Sequence, residues 1–429
     1  MSVSHANRLG CLPKSLTHLA REGGVESTLK LCEALLGSSG TSIGVSLAAQ
    51  TVSSYERLDG HSRKAFFLAL LSRFSPDPEK VITAAKHYAE DPSPRRLWAL
   101  GQAAEAPRQE LLRRLNRAPG ATCAILRMRK HLLGLMRSHA ELEAVDLDFH
   151  HLLSSWFNPG FLQMVQISWR TPADILERIV QQERVHEIQG WEDLRHRLQE
   201  DRRCFAFFHP SLPQEPLVFV EVALMHEMPA AIGPLLDSSL PPCDPVQART
   251  AVFYSISACQ PGLRGVSLGN FLIKRVVDEL LAEFPRLKCF CTLSPIPHFA
   301  SWLTSQPNRL HKRLECGLDS VNLEEIEDAK DALLLSCAEY LIGRGRAKAR
   351  TYDPVARFHL SNGARLERIN WGANLSRKAI KESLGIMANY LYDPARIERN
   401  HECFNQGRTV ASKQVRALLR SGLNHGRAV

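Results

Sequence analysis

Apolar residues recur every three to four positions through the first third of the chain, then gather into short continuous runs. From Ala121, residues Ile125, Met128, Leu132 and Met136 follow at helical spacing, which places them on one helix face. Similar stripes over Lys64–Leu71 and Arg96–Leu115 are expected to face a core. Pro94, Pro107 and Pro119 punctuate them, because proline ends or kinks a helix. His150 and His151 do not form a metal pair on such a helix, since adjacent side chains point about 100° apart. After Asn158-Pro159-Gly160 the pattern changes. Leu217–Leu224 is β-branched and aromatic and reads as a strand, as do Ala251–Ser257, Leu287–Leu293 and Ala364–Trp371. Between the second and third of these, Asn270–Phe284 carries Leu272, Val276, Leu280 and Phe284 at four-residue spacing, a helix. The expected fold is α+β in two domains: an all-α region over residues 1–157 and a mixed α/β domain over 158–429.

Composition narrows the class. At about 150 residues per domain, 429 residues fit two or three domains. Hydrophobic residues make up 44% and charged residues 23%, which excludes a disordered or collagen-like chain. The run Pro216–Met225 is interrupted by Glu221 and falls well short of the about 20 apolar residues of a membrane span, so no membrane partner is expected. The net charge of +9 is uneven: residues 341–429 hold 17 Lys/Arg against 6 Asp/Glu, and the rest hold 37 against 39. A basic region attracts polyanions, but no RNA- or DNA-binding signature accompanies it, and nucleic acid is not an expected partner. The eleven cysteines are scattered, and Cys289-Phe290-Cys291 has no second pair at zinc-ligand spacing. Reduced thiols and a cytoplasmic location follow, although Arg8, Lys14 and Arg21 without an acid before Glu22 faintly resemble a transit peptide.

Three segments carry candidate chemistry. In Gln260-Pro-Gly-Leu-Arg-Gly-Val-Ser-Leu-Gly-Asn270, glycines let backbone amides face one way ahead of a helix N-terminus, an anion cradle fit for a pyrophosphate. Ser294, in Leu293-Ser-Pro-Ile-Pro297, ends a strand of a βαβ arrangement, where ligands collect. The two prolines are expected to stop any further strand ladder. His359 lies near the end of a helix opened by Asp353-Pro354 and closed by Asn362-Gly363, where the helix dipole favours the protonated ring. Singly, each is better read as a glycine turn, a turn serine and a structural histidine.

Together they resemble the malonyl-CoA decarboxylase family. The resemblance lies in Ala251–Ser257, Gly262–Gly269, Phe271–Val277, Phe284-Pro285, Leu293–Pro297, Pro354–Ala364, Arg368–Trp371, Gly385–Tyr390 and Tyr392, in family order. It implies a GNAT-like catalytic domain behind a helical oligomerisation domain, and a homo-oligomer, a tetramer. It also implies conversion of malonyl-CoA to acetyl-CoA and carbon dioxide without metal or organic cofactor. The family's catalytic serine falls on Ser294 and its histidine on His359. Its coenzyme A loop falls on Arg264, Gly265, Val266, Ser267, Leu268, Gly269 and Asn270. Ser267 stands where vertebrate members have an acid and where the GNAT loop has its first glycine. The stretch from Ser294 to His359 is shorter than in vertebrate members. Loss of carbon dioxide leaves an enolate, which needs a hydrogen-bond donor at oxygen and a proton at carbon; Ser294 and His359 have those chemistries. A GNAT-like acyltransferase and a non-catalytic nucleic-acid-binding scaffold are the alternatives.

Overall fold

The computed structural model describes residues 23–266, 268, 271–306, 329–343, 351 and 353–425. They form two compact units, one made of the described residues up to Leu162 with His209–Pro213 and 260–266, the other of the remaining described residues.

The first unit is helical, with helices Val25–Gly37, Thr41–Glu56, Gly60–Arg73, Pro78–Glu90, Pro94–Ala104, Pro107–Leu115, Ala121–Leu135 and Glu143–Trp156. Starts follow local chemistry. Asp59 accepts from Ser62 N–H at 2.7 Å and Asp77 from Glu79 N–H at 3.1 Å, each satisfying an orphan amide. Pro78, Pro94 and Pro107 open their helices, where no N–H is needed. Leu31, Phe66, Phe67, Ile125, Leu132 and Phe149 are wholly buried and form the core. The stripe expected to face the core over Arg96–Leu115 divides in two. Helix Pro107–Leu115 buries Leu111, Leu112 and Leu115, whereas Pro94–Ala104 buries none of its residues. That helix packs mainly against Pro78–Glu90, a hairpin that leaves Leu97 52% and Trp98 68% exposed.

Within the same unit, Arg129 is buried and bridges Asp146, at 2.8 Å, and the carbonyl of Gly262, also at 2.8 Å. A Cβ on Gly262 would stand 2.2 Å from the Leu126 carbonyl oxygen, so only glycine permits this approach. The segment leading into the candidate phosphate loop is thereby fixed to helix Ala121–Leu135.

The second unit is built on one mixed sheet: β1 Gln163–Ile167, β2 Arg202–Phe208, β3 Val218–Met225, β4 Thr250–Ala258, β5 Cys289–Thr292, β6 Ser294–Pro295, β7 Arg365–Asn370 and β8 Met387–Tyr392. Their order is β1-β2-β3-β4-β5-β8-β6, with β7 also paired to β8. Neighbours are antiparallel except β4 and β5, joined by helix Phe271–Glu283 as the crossover. The expected helical region followed by a mixed α/β domain is the architecture observed.

The β4–β5 ladder ends at Phe253 and Thr292, with Leu293 N–H on the Phe253 carbonyl at 3.1 Å as its last rung. Beyond it, β4 continues along β3 while Ser294 and Pro295 turn to β8, so the sheet parts there. This corrects the expectation that the prolines end the ladder: Ser294 pairs with Ala388 and Pro295 with Met387. Pro295 lacks a donor but sits in a terminal strand, where proline is tolerated. Cys291, Leu293 and Met387 pack with Val252 and Tyr254 on one face of the sheet. Side chains alternate along strands, which turns Thr292, Ser294, Tyr390 and Tyr392 to the other.

Candidate active site

Helix Pro354–Ser361 lies over that second face. Asp353, fully buried, caps it by accepting from Ala356 N–H at 2.8 Å and also receives the Tyr340 hydroxyl at 3.4 Å. Burial raises the Asp353 carboxyl to about 6, against the opposing pull of the amides of Ala356 and Val355. At the other end Gly363 takes a φ of 81°, and a Cβ there would stand 2.3 Å from the Ile397 carbonyl oxygen. The helix is held at both ends, and its last turn carries His359.

His359 and Ser294, 65 positions apart, meet: Nε2 lies 3.0 Å from Ser294 Oγ. Both are nearly closed to solvent, at 3% and 5% exposure. On the far side of the ring Nδ1 lies 2.8 Å from the Tyr392 hydroxyl. The Ser294 hydroxyl donates to Thr292 Oγ1 at 2.8 Å, and Tyr390 N–H donates to the same oxygen at 3.2 Å. With its hydrogen committed to Thr292, Ser294 accepts from Nε2–H. Nδ1 then carries the lone pair that receives the Tyr392 hydroxyl, which assigns the tautomer. The Tyr390 ring stacks on the imidazole, centroids 4.7 Å apart and planes 22° from parallel.

Burial dominates the electrostatics. It lowers His359 to about 3, so the resting imidazole is neutral. This is the opposite of the protonated ring expected from the helix dipole: a partial charge at a helix end is outweighed when the whole ring loses water. Burial also raises the Tyr390 and Tyr392 hydroxyls well above their usual range. Among the described residues, no charged side chain contributes to the shift on His359.

Asn389 braces the strand beneath. Its Nδ2 donates to the Thr292 carbonyl at 2.8 Å, and its Oδ1 receives Asn370 at 2.7 Å and Arg368 at 3.0 Å. Sequence reasoning named Asn389, Tyr390 and Tyr392 only within family blocks; their roles as brace, stacking ring and imidazole partner emerge from register. Of the loop residues, Arg264 and Gly265 are exposed and Val266 buried in the helical unit, while Leu268 is half-buried in the other. Ser267, Gly269 and Asn270 lie outside the described residues. Among the described residues, no three His, Cys, Asp or Glu side chains gather as a metal-ligand set, and no helix is long and apolar enough to cross a membrane.

A hydroxyl and an imidazole nearly closed off from water, at the point where a mixed sheet parts, make a candidate site with the groups for hydrogen bonding and proton transfer. Comparison gives the family. Residues 74–157 match the malonyl-CoA decarboxylase N-terminal domain and residues 160–428 the malonyl-CoA decarboxylase C-terminal domain. The mitochondrial malonyl-CoA decarboxylase of Anser anser anser is 34% identical over 390 residues, covering 80% of this chain and 77% of its own. The crystal structure of malonyl-CoA decarboxylase from Rhodopseudomonas palustris superposes with a TM-score of 0.86 at 45% identity, covering 92% of this chain and 99% of that one. The one from Agrobacterium vitis gives 0.85 at 47% identity, covering 91% and 99%. The chain belongs to the malonyl-CoA decarboxylase family, a family of carboxy-lyases.

Proposed function

We propose that this chain converts malonyl-CoA to acetyl-CoA and carbon dioxide, with Ser294 and His359 as its catalytic residues. The observation that carries the reading is the 3.0 Å contact between the buried Ser294 Oγ and His359 Nε2. The charge balance of the reaction fits that pair. A resting neutral imidazole meets a substrate carboxylate, and a nearby negative charge favours the protonated ring. The carboxylate and a proton thus enter together. The bond between the α-carbon and the carboxylate carbon then breaks. Its electron pair stays on the α-carbon and spreads to the thioester oxygen, while carbon dioxide leaves uncharged. Ser294 turns its hydroxyl from Thr292 to that oxygen as the charge arrives. The imidazolium passes its proton to the α-carbon, giving acetyl-CoA and the neutral ring again.

The thioester carbonyl is itself the electron sink, which supports a reaction needing neither metal nor organic cofactor. Arg264, Gly265, Val266, Ser267, Leu268, Gly269 and Asn270 are proposed to hold the pyrophosphate of coenzyme A, ahead of the crossover helix. The parting of the sheet beside Ser294 offers the thioester its way in. Self-association, as a tetramer, is assigned to the helical unit, supported by the Pro78–Ala104 hairpin with its exposed Ile82, Leu97 and Trp98. Deleting that unit should dissolve the oligomer in light scattering; an unchanged oligomer would refute the assignment. A reducing compartment, the cytoplasm, suits the nine described cysteines, which form no disulfide with one another.

The test is incubation of purified protein with malonyl-CoA, with and without chelator. Acetyl-CoA and carbon dioxide should form without any acceptor and at the same rate in both. Turnover that waits for an added amine or thiol acceptor would instead mark an acyltransferase.

A further inference from the structure

The site poses a problem that its two principal groups do not solve. His359 must carry a positive charge for part of each turnover, yet it is nearly closed to water and meets no acid among the described residues. Among the described residues, the groups facing it are Ser294 from β6, Tyr390 and Tyr392 from β8, and the Phe358 ring of its own helix, 5.1 Å away and nearly perpendicular at 78°. Tyr340 and Asp353 bond each other at the start of its helix, and His401, on helix Ile397–Asn405, bonds the Ser361 carbonyl at 2.5 Å beyond its end. None of these supplies a negative charge to the ring. Hydroxyls of Ser294 and Tyr392 occupy its edge. Its face is taken by Tyr390.

The Tyr390 ring is fully buried, lies 4.7 Å from the imidazole centroid and is tilted from it by 22°. Its hydroxyl has no hydrogen-bond partner among the described residues. A buried tyrosine whose polar end is unused contributes through its ring, and an aromatic face attracts a cation most strongly when both are out of water. We propose that Tyr390 is a positioning residue of this site: its ring face holds the protonated form of His359 and so sets how readily the imidazole gains and delivers its proton. The proposal rests on the decarboxylase reading for the use of that proton. The stack itself does not depend on the substrate.

A ring that merely fills space and a ring that holds charge differ in their response to fluorine, which drains the face of electron density while changing shape little. Tyr390 is replaced by phenylalanine, then by mono-, di- and trifluorophenylalanine, with folding checked by thermal melting. Relative to Tyr390→Phe, kcat should fall stepwise by about 10-fold across the series while KM for malonyl-CoA stays level. A kcat that is flat across the series would overturn the proposal. The same proteins, ligand-free and labelled with ¹⁵N-histidine, give a reading independent of turnover. The titration midpoint of His359 should fall with each fluorine, and a constant midpoint would also overturn the proposal. If the wild-type protein released no carbon dioxide from malonyl-CoA, the decarboxylase reading would fail, whereas the midpoint series would still decide the stack.

Discussion

The Tyr392 hydroxyl lies 2.8 Å from His359 Nδ1, across the ring from the Ser294 contact at Nε2. The imidazole is therefore held from both nitrogens, and the proton it keeps at rest points at Ser294.

Tyr392→Phe removes the group that fixes the tautomer and leaves Nδ1 buried without a partner. An unsatisfied buried acceptor costs about 1–3 kcal/mol, so the melting temperature should fall. Turnover should fall by about 10-fold or more, with little change in KM. Steady-state release of carbon dioxide and a thermal melt on the same preparation check both.

Ser294→Ala should lower kcat by about 10²–10³-fold, the scale for one oxyanion donor. His359→Ala should lose about 10²–10⁴-fold as a general acid. Because the two act on one fragment, the double variant should be less impaired than the product of the singles. Near-wild-type turnover in folded His359→Ala would remove the acid from the mechanism.

Stability should depend on pH through His359. Its folded value, about 3, lies below the ordinary histidine value, so the unfolded chain binds the extra proton first. This contribution is fully present above about pH 6.5 and is lost as pH falls toward 3. Asp353, raised to about 6, and Glu221, raised to about 7, act in the opposite sense, since their stability contribution is lost as pH rises through those values. The difference between two proteins isolates the histidine: urea unfolding at pH 7 and pH 5 should show a smaller acid loss in His359→Asn than in the wild type. Equal losses would contradict the burial of the neutral ring.

Gly363→Ala should be costly for two reasons: the left-handed backbone disfavours a side chain, and its Cβ would stand 2.3 Å from the Ile397 carbonyl. Overpacking of this kind costs about 1–3 kcal/mol. The last turn of the helix carrying His359 should shift with it, so both melting temperature and kcat should drop. An unchanged melt would show that Ile397 yields.

Much of this site was legible in the sequence, and the illegible parts have physical causes. Strands β3, β4 and β5, the crossover helix Phe271–Glu283 and the Asp-Pro to Asn-Gly helix stand out because their apolar spacing and terminal residues agree. Strand β8 does not. Met387-Ala-Asn-Tyr-Leu-Tyr392 has an asparagine at its centre, and a buried amide reads as a loop until its partners on Thr292, Asn370 and Arg368 are known. Strand β2 was also missed, because Phe205, Ala206, Phe207 and Phe208 form too short an apolar run after Arg202-Arg203 to separate strand from helix. The meeting of Ser294 with His359 followed from the family blocks. The lowered affinity of His359 for a proton did not, since burial is a property of the whole fold.

Strand β8 pairs with β5, β6 and β7, and every second residue of it, Ala388, Tyr390 and Tyr392, faces the imidazole or the strand bearing Ser294. During synthesis it emerges after all three of its neighbours. Until it inserts, β5 and β6 lack their shared partner, Thr292 lacks the Asn389 brace, and His359 has neither stacking ring nor tyrosine bond. Closing the sheet and assembling the site are thus a single late event that waits for β8. A chain truncated before Met387 should be inert rather than weakly active.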